Sequence, residues 1–326
     1  MWWLALLAPV SFTGADACRS CHAAWFEKQA RSAHATALRP VQQHSLREMF
    51  ETIQPLRRGP YAFRVSAGAI TTYDRENSID LPLEWAFGSG KQAVTFVTKV
   101  DRDWHVEHSL SYYPLLGAFA LTPGHGDRRP RDLKEAAGLL YKTSDPQAGI
   151  AGCFECHSTG GVRFAEDGAA AVGEPGVRCE ACHGAGSTHA SGNTRLGPGK
   201  ITAAAMNDLC GRCHRPPVSD PAKVDWNNAW NVRHQPVYLS QSACFAKSNG
   251  RVSCLTCHDP HAPLETSSSH YNKTCESCHS ERPKACSTNC VDCHMPRVSP
   301  QSGLRFSNHW IGIYGAGSHL KPRQRR

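Results

Sequence analysis

The 326-residue sequence has no long hydrophobic run and only a modest supply of apolar side chains. Hydrophobic residues make up 40% of the chain and aromatic residues 8%, beside 27 Gly and 21 Pro. This composition predicts a loop-rich protein with a small core of its own side chains. Because no stretch approaches the ~18 consecutive apolar residues that span a bilayer, we expect the mature chain to be soluble.

The N-terminus carries a short apolar segment, MWWLALLAPV, followed by small residues. It is too short to cross a bilayer and is typical of the hydrophobic part of a secretory signal peptide, although no Lys or Arg precedes it. We predict that residues 1–17 are a signal peptide that is cleaved between Ala8 and Ala17. A non-cleaved anchor and a start further upstream are the alternatives.

Methionine is scarce, with 4 residues, whereas the sequence contains 16 Cys and 18 His. Most of the cysteines fall in seven copies of the pentapeptide Cys-x-x-Cys-His. The motif cysteines are Cys18, Cys21, Cys153, Cys156, Cys179, Cys182, Cys210, Cys213, Cys254, Cys257, Cys275, Cys278, Cys290 and Cys293. The motif histidines are His22, His157, His183, His214, His258, His279 and His294. From the second motif onward, successive first cysteines are 15 to 44 residues apart, which argues against a regular solenoid.

The spacing within the pentapeptide suits covalent haem attachment. Two thiols three residues apart each form a thioether with a haem vinyl group, and the adjoining His then reaches the iron. A zinc ribbon needs pairs of pairs without a fixed His, and a redox dithiol occurs once near a βαβ unit. We therefore predict seven covalent haems c. Haem attachment to an exported apoprotein then predicts a periplasmic or other extracytoplasmic location.

The second axial ligand of each iron must come from outside the motifs. Eleven further histidines exceed the seven required. They are His34, His44, His105, His108, His125, His189, His234, His261, His270, His309 and His319. Apart from the initiator, only Met49, Met206 and Met295 could replace histidine as an axial ligand. We therefore predict ligation by two histidines at most haems, with reduction potentials toward the low end. His105 and His108, at odd spacing on a predicted strand, cannot both face one side.

The formal charge of +8 does not indicate a nucleic-acid partner. Each ferric haem adds roughly −1, so seven haems bring the holoprotein close to neutrality. We expect many Arg and Lys side chains to neutralise haem propionates.

The motifs divide the chain unevenly. We predict a first haem-binding arm at residues 18–40, a β-rich segment at 41–130, a six-haem array at 131–311 and a basic tail at 312–326. Helical composition marks residues 23–37 and 131–142, and alternating apolar residues over 61–113 predict a small antiparallel meander. This segment would serve as a lid or spacer over the haems, or would bind a partner. The fold class expected is mostly short helices and irregular loops around stacked haems.

Cys244 and Cys286 lie outside the motifs. In an oxidising compartment an even pair is read most simply as one disulfide. A free thiol and an iron ligand remain alternatives for either residue.

The segments GVRCEACHGAGSTH, SACFAKSNGRVSCLTCHDPH, CVDCHMPR and NHWI resemble bacterial multihaem cytochromes c of the cytochrome c552/c554-like group. The resemblance covers residues 18–311 and is strongest from Cys153 onward. It implies a multihaem cytochrome fold and electron transfer without a particular donor or acceptor. It also implies that the distal ligands include His34, His125, His189, His261 and His309.

Together these features predict single-electron transfer, with the first and last haems as the points where electrons enter and leave. The expected partners are other redox proteins, with membrane-bound quinol oxidoreductases or other cytochromes as candidates. No residue is singled out as catalytic. The alternatives are an oxidoreductase acting on a small nitrogen or sulfur compound, and a subunit of a cytochrome assembly or filament.

Overall fold

The computed structural model describes residues 11–66, 68–145, 149–192, 195–215, 221–279 and 289–323. Its helices are α1 (Ala15–Ala30), α2 (Leu133–Ala137), α3 (Ala151–His157), α4 (Cys179–His183), α5 (Ser187–Ala190), α6 (Ala203–Gly211), α7 (Gln235–Ser240), α8 (Ala243–Ala246), α9 (Cys254–Cys257), α10 (Ser268–Glu276) and α11 (Cys290–His294). Single 3₁₀ turns lie at Val41–Gln43, Arg47–Met49, Pro221–Lys223 and Ala229–Arg233.

The strands are β1 (Leu38–Pro40), β2 (Leu56–Arg58), β3 (Tyr61–Ser66), β4 (Ala69–Tyr73), β5 (Ser78–Pro82), β6 (Trp85–Phe87), β7 (Val94–Lys99), β8 (Trp104–Tyr113), β9 (Ala118–Leu121), β10 (Gly138–Lys142), β11 (Ser158–Phe164), β12 (Ala170–Pro175), β13 (Arg297–Val298) and β14 (Phe306–Ser307).

All strand pairs in the described residues are antiparallel. One sheet has the order β1-β6-β7-β8-β10, with β9 also paired to β8, and a second has the order β2-β3-β4-β5. Strands β11 and β12 form a hairpin, as do β13 and β14. The β-rich half is therefore larger than the small meander that the alternation predicts, because β1, β2, β9 and β10 join the two sheets from outside the 61–113 segment.

A large apolar core lies in the β-rich half. Phe50, Phe63, Phe96, Tyr112 and Phe119 form its aromatic centre, each at most 4% exposed. The ring of Phe50 packs edge-on against the ring of Phe96 at 4.9 Å between centroids. Side chains alternate along each strand, so one face of both sheets supplies this core. The β-rich part of the chain, which lies between the first and second motifs, can thus be stabilised by its own side chains.

A second apolar cluster joins the six-stranded sheet to the second haem motif. Phe154, inside helix α3, is fully buried against Leu38, Phe87 and Val97. Ile150, at the start of that helix, belongs to the same cluster. The sheet therefore fixes the position of the motif at residues 153–157.

The remaining core is small. Beyond residue 200, a third cluster contains Val232, Tyr238 and Val298 as its buried members. This part of the chain consists of short helices and loops, as its composition predicts. Within the described residues it contributes little apolar packing of its own.

Two helix predictions require correction. The helix expected over 131–142 ends after Ala137, because Gly138 begins β10 and pairs with His108 of β8. A Cβ atom at Gly138 would lie 2.2 Å from the Glu107 carbonyl oxygen, so the glycine permits this close approach. The helix expected over 23–37 runs instead over Ala15–Ala30.

Candidate haem-binding site

At five of the seven motifs, helical geometry is interrupted at the motif histidine, whereas α6 and α10 end at Gly211 and Glu276, before the second cysteine of motifs 4 and 6. Helices α3, α4 and α11 each end at the histidine of their own motif. In α1 the backbone leaves helical geometry at His22, with φ −121° and ψ 38°, and His258 follows α9 in an extended conformation. A single turn of helix presents both thiols on one side, and the break that follows frees the imidazole to turn toward the porphyrin.

Four imidazole pairs have the spacing that an iron atom between two rings requires. An iron about 2 Å from one nitrogen of each ring separates the ring centroids by roughly 6 Å. The separation is 6.2 Å for His22 and His189, 6.0 Å for His34 and His214, 6.0 Å for His183 and His261, and 6.2 Å for His258 and His309. Each pair contains one motif histidine and one from another segment.

Hydrogen bonds fix the tautomer of two further motif histidines and of the paired His309. Nδ1 of His157 lies 3.0 Å from the carbonyl oxygen of Ala37, and Nδ1 of His294 lies 2.8 Å from that of Gly312. Nδ1 of His309 lies 3.0 Å from the Ser307 carbonyl oxygen. A carbonyl oxygen only accepts, so each Nδ1 carries the proton and Nε2 keeps its lone pair for a metal.

Two of the paired histidines have pKa values well below the usual range. Desolvation and the neighbouring His34, His258 and His157 together lower the pKa of His214 to about 4. Burial, followed by the proximity of His258, also lowers the pKa of His309 to about 4. Ligation requires the unprotonated ring, so both side chains are in the competent state at neutral pH.

The accessible surface also fits a chain that wraps around large prosthetic groups. The chain exposes 20124 Å², whereas a compact protein of 35.6 kDa exposes roughly 13,000 Å². A chain with this much surface outside its own core can cover part of it with large apolar groups, as porphyrins held by thioethers would do. The residues present therefore fit haem c.

Three motif histidines are not paired in this way. In the described part of the chain, no second imidazole stands opposite His157, His279 or His294 at the 6 Å spacing. The ring of Phe87 lies 5.3 Å from that of His157, at 72° between the planes.

His125 lies away from the paired rings. Its Nε2 is 3.2 Å from Oε2 of Glu107, which also accepts a hydrogen bond from the Tyr141 hydroxyl. The structure therefore brings His34, His189, His261 and His309 to motif histidines and places His125 in a different polar cluster. Tyr141, which donates to the same carboxylate, packs in one cluster with Cys153 of the second motif, and ligation of an iron by His125 stays a prediction.

Three other histidines of the β-rich half are buried in polar contacts, His44 beside a 3₁₀ turn and two in β8. His44 accepts a hydrogen bond from the Leu46 N–H at Nδ1 and donates from Nε2 to the Gly88 carbonyl oxygen. His105 lies 3.1 Å from the Thr143 hydroxyl, and His108 lies 2.8 Å from that of Thr98. Burial lowers the pKa of His108 to about 4, so this ring is neutral at pH 7.

A buried carboxylate connects the first and third motifs, and no sequence signal indicates it. Glu180 occupies a variable position of the third motif and is 3% exposed. Its oxygens accept hydrogen bonds from the backbone N–H groups of Thr13, Gly14 and Gly186 at 2.6–3.1 Å. The start of α1 is thereby attached to the motif at residues 179–183.

In holoprotein cleaved ahead of Thr13, we expect Glu180→Ala to lower the free energy of unfolding by about 2–4 kcal/mol, because the N–H groups of Thr13, Gly14 and Gly186 lose a charged acceptor. Glu180→Gln, which retains one acceptor oxygen, should cost less. Thermal unfolding followed by circular dichroism measures both. The exposed Glu166 supplies the matched control, and Glu166→Ala should leave the transition nearly unchanged. Equal stability of E180A and E166A would contradict the structural role of Glu180.

Three predictions fall wholly or partly outside the described residues. Cys286 is not among them, so its disulfide with Cys244, which is half-buried, stays a prediction. Residues 1–10 of the predicted signal peptide and 324–326 of the basic tail are likewise not described.

Two family models match parts of this chain, and two solved structures match most of it. The family model for the doubled CXXCH motif matches residues 169–218, and the model for cytochrome c554 and c-prime matches residues 130–184. The crystal structure of the outer cell wall cytochrome OcwA matches with a TM-score of 0.53 and 14% identity, covering 92% of this chain and 79% of that one.

The undecahaem cytochrome from the S-layer of Carboxydothermus ferrireducens matches with a TM-score of 0.50 and 16% identity. The match covers 94% of this chain and 53% of that one, so the chain spans about half the length of this neighbour. At these identities, the two structural matches are evidence of a shared fold.

Proposed function

We propose that this chain, which the family matches and structural neighbours identify as a multihaem c-type cytochrome, carries seven covalent haems c and transfers single electrons between redox proteins. Electron transfer in general follows from the family. The number of haems, their axial ligands and the location are the parts that we propose.

The observation that carries the proposal is the set of four imidazole pairs at 6.0–6.2 Å. We assign His189 as the distal ligand at motif 1, His261 at motif 3, His34 at motif 4 and His309 at motif 5. In all four cases the distal residue comes from another part of the chain. An arrangement of this kind holds the ligands in place before and after a change in iron charge, which favours rapid electron exchange.

When bound, the haems supply the redox chemistry, and the protein sets their ligands, burial and positions. Ligation by two histidines gives low potentials, since no axial Met withdraws electron density. Carbonyl oxygens that accept from Nδ1, such as those of Ala37 and Gly312, fix ring orientation and make the ligands more basic.

We place the protein outside the cytoplasm, in the periplasm or at the cell surface, with other redox proteins as its partners. The apolar N-terminal segment supports this location, and so do neighbours that are named for an outer cell wall and an S-layer. No helix among the described residues is long and apolar enough to cross a membrane. The basic residues serve the haem propionates in this proposal, and no nucleic-acid partner is invoked.

A second candidate function is an oxidoreductase acting on a small nitrogen or sulfur compound. The observation in its favour is that His157, His279 and His294 have no opposing imidazole in the described residues. A haem with one protein ligand leaves a position where a substrate could reach the iron.

Intact mass and the spectrum of the oxidised protein test the proposal. We expect the mature chain to be heavier by seven haems and to show low-spin iron at motifs 1, 3, 4 and 5 at least. A high-spin signal that a small ligand abolishes would favour the oxidoreductase. A protein without a Soret band, or one that contained zinc, would refute both functions.

A further inference from the structure

Two arginines of the β-rich half have buried nitrogen atoms without an acceptor. Arg58 is the last residue of β2, and Arg128 lies in the loop between β9 and α2. In each guanidinium group, Nη1 is buried and has no hydrogen-bond partner among the described residues. Arginine only donates, and buried donors in folded proteins are almost always paired. Both Nη1 atoms therefore require an acceptor that this part of the chain does not supply.

Arg58 is hydrogen-bonded to the loop that carries Arg128. Its Nη2 donates to the carbonyl oxygen of His125 at 2.9 Å and to that of Arg128. The Arg128 N–H donates to the same His125 oxygen at 3.2 Å, which closes a turn of the loop. Burial lowers the pKa of Arg58, and the positive charge of Arg128 lowers it further, as expected of neighbouring guanidinium groups. The loop thus uses one nitrogen of Arg58 and leaves Nη1 over.

No acidic side chain neutralises this pair of arginines. The carboxylate of Glu107 accepts from the Tyr141 hydroxyl and lies 3.2 Å from Nε2 of His125. In the part of the chain that the structure describes, no ion pair joins either arginine to a carboxylate. Two partly buried positive charges without a counter-charge are stabilised by a bound anion.

We propose that Arg58 and Arg128 together bind an anionic group with at least two oxygen atoms, a carboxylate or a small oxyanion. Guanidinium groups suit such ligands because their N–H donors lie in one plane and hold two oxygen atoms at once. Each Nη1 donates to the anion, while Nη2 of Arg58 keeps its backbone acceptors. Both residues are partly exposed as a whole, so the anion binds just beneath the surface.

Two sources supply this chemistry. One is a propionate of the haem at motif 2, since Tyr141, which shares the Glu107 carboxylate with His125, packs in one cluster with Cys153. The other is a free oxyanion from solution, which would favour the oxidoreductase of a small nitrogen or sulfur compound. The propionate source rests on the proposed function, whereas a free oxyanion requires only the β-rich half.

Calorimetric titration of the holoprotein with sulfate, at constant ionic strength, tests the free-oxyanion source. If that source is correct, we expect one sulfate to bind and Arg58→Gln and Arg128→Gln each to weaken its binding at least about tenfold. Arg57→Gln is the matched control, because Arg57 precedes Arg58 in β2 and is exposed. Its affinity for sulfate should stay within about twofold of the parent. Sulfate binding that neither R58Q nor R128Q weakens lies elsewhere and argues against this source.

Spectroelectrochemical titration from neutral to mildly acidic pH tests the propionate source. The two arginines keep a bound propionate ionised, so loss of one raises the pKa of the propionate and lets it take up a proton when its iron is reduced. We then expect the reduction potential of one haem to fall with rising pH in R58Q and R128Q, but not in the parent or R57Q. In a chain that also carries C153A/C156A and lacks the haem at motif 2, this pH dependence should disappear. Its persistence there would refute motif 2 as the source.

Either result supports the anion site, and the two results distinguish its sources. If R58Q and R128Q change neither sulfate affinity nor the pH dependence of a potential, the proposal is overturned, because water then suffices for both Nη1 atoms. R128Q keeps the test decisive if R58Q, which loses the backbone contacts to the loop, fails to fold. Intact mass separates the levels of failure: a parent without seven haems refutes the proposed function, whereas seven haems with unaffected variants refute only the anion site.

Discussion

Replacing His309 with alanine is expected to convert about one low-spin haem per protein into a high-spin haem. The ring of His309 faces that of His258 at 6.2 Å, and its Nδ1 is held by the Ser307 carbonyl oxygen. Without it, the iron at motif 5 has one protein ligand and an empty pocket of imidazole size. Electron paramagnetic resonance of the oxidised protein counts the high-spin iron.

Added imidazole should restore the low-spin signal in the His309→Ala variant, because it fits the pocket that the side chain leaves. The matched control is His108→Gln, since His108 is buried in the sheet with its Nε2 2.8 Å from the Thr98 hydroxyl. We expect this variant to retain the parent spectrum. The assignment would be wrong if H309A stayed fully low-spin, or if H108Q lost a low-spin haem.

Production of the chain without covalent haem is expected to unfold its C-terminal half while the two sheets persist. The sheets have a large core centred on Phe50, Phe96 and Phe119. Beyond residue 200, the third cluster has only Val232, Tyr238 and Val298 as buried members in the described residues. Without porphyrins, the grooves of this half would expose backbone and thiols to water.

Limited proteolysis with mass spectrometry measures this difference. We expect a resistant fragment from about residue 38 to about residue 142 in the apoprotein, and rapid digestion of most peptides beyond residue 200. The holoprotein, digested in parallel, should be protected in both halves. Equal protection of the two halves in the apoprotein would show that haem does not stabilise the C-terminal half.

Local structure at the motifs could be predicted well from the sequence. Short helices occur at motifs 2, 3, 5 and 7, because one helical turn suffices to present two thiols three residues apart. Alternating apolar residues predicted the β-rich segment, but strands β1 and β10 lie outside the predicted range of 41–130. Gly138 ends a helical pattern and begins a strand because its backbone approaches β8 closely, which no local pattern indicates.

The predicted distal histidines were likewise identified partly from the sequence and partly from the structure. Motif likeness suggested His34, His189, His261, His309 and His125, and the structure brings the first four opposite motif rings. His125 was indistinguishable from them in sequence, but the strand that carries Glu107 places a carboxylate next to it. Glu180 could not have been found either, since its partners are backbone N–H groups of residues far away in the chain.

The sequence by itself determined the chemistry of this protein, because thioether attachment and proximal ligation are complete within five consecutive residues. Only the tertiary structure decided which histidine from another segment faces which motif histidine. Those relations join residues far apart in the chain, such as His34 and His214. They depend on how sheets and short helices pack around the haem sites, and pentapeptide spacing does not encode that packing.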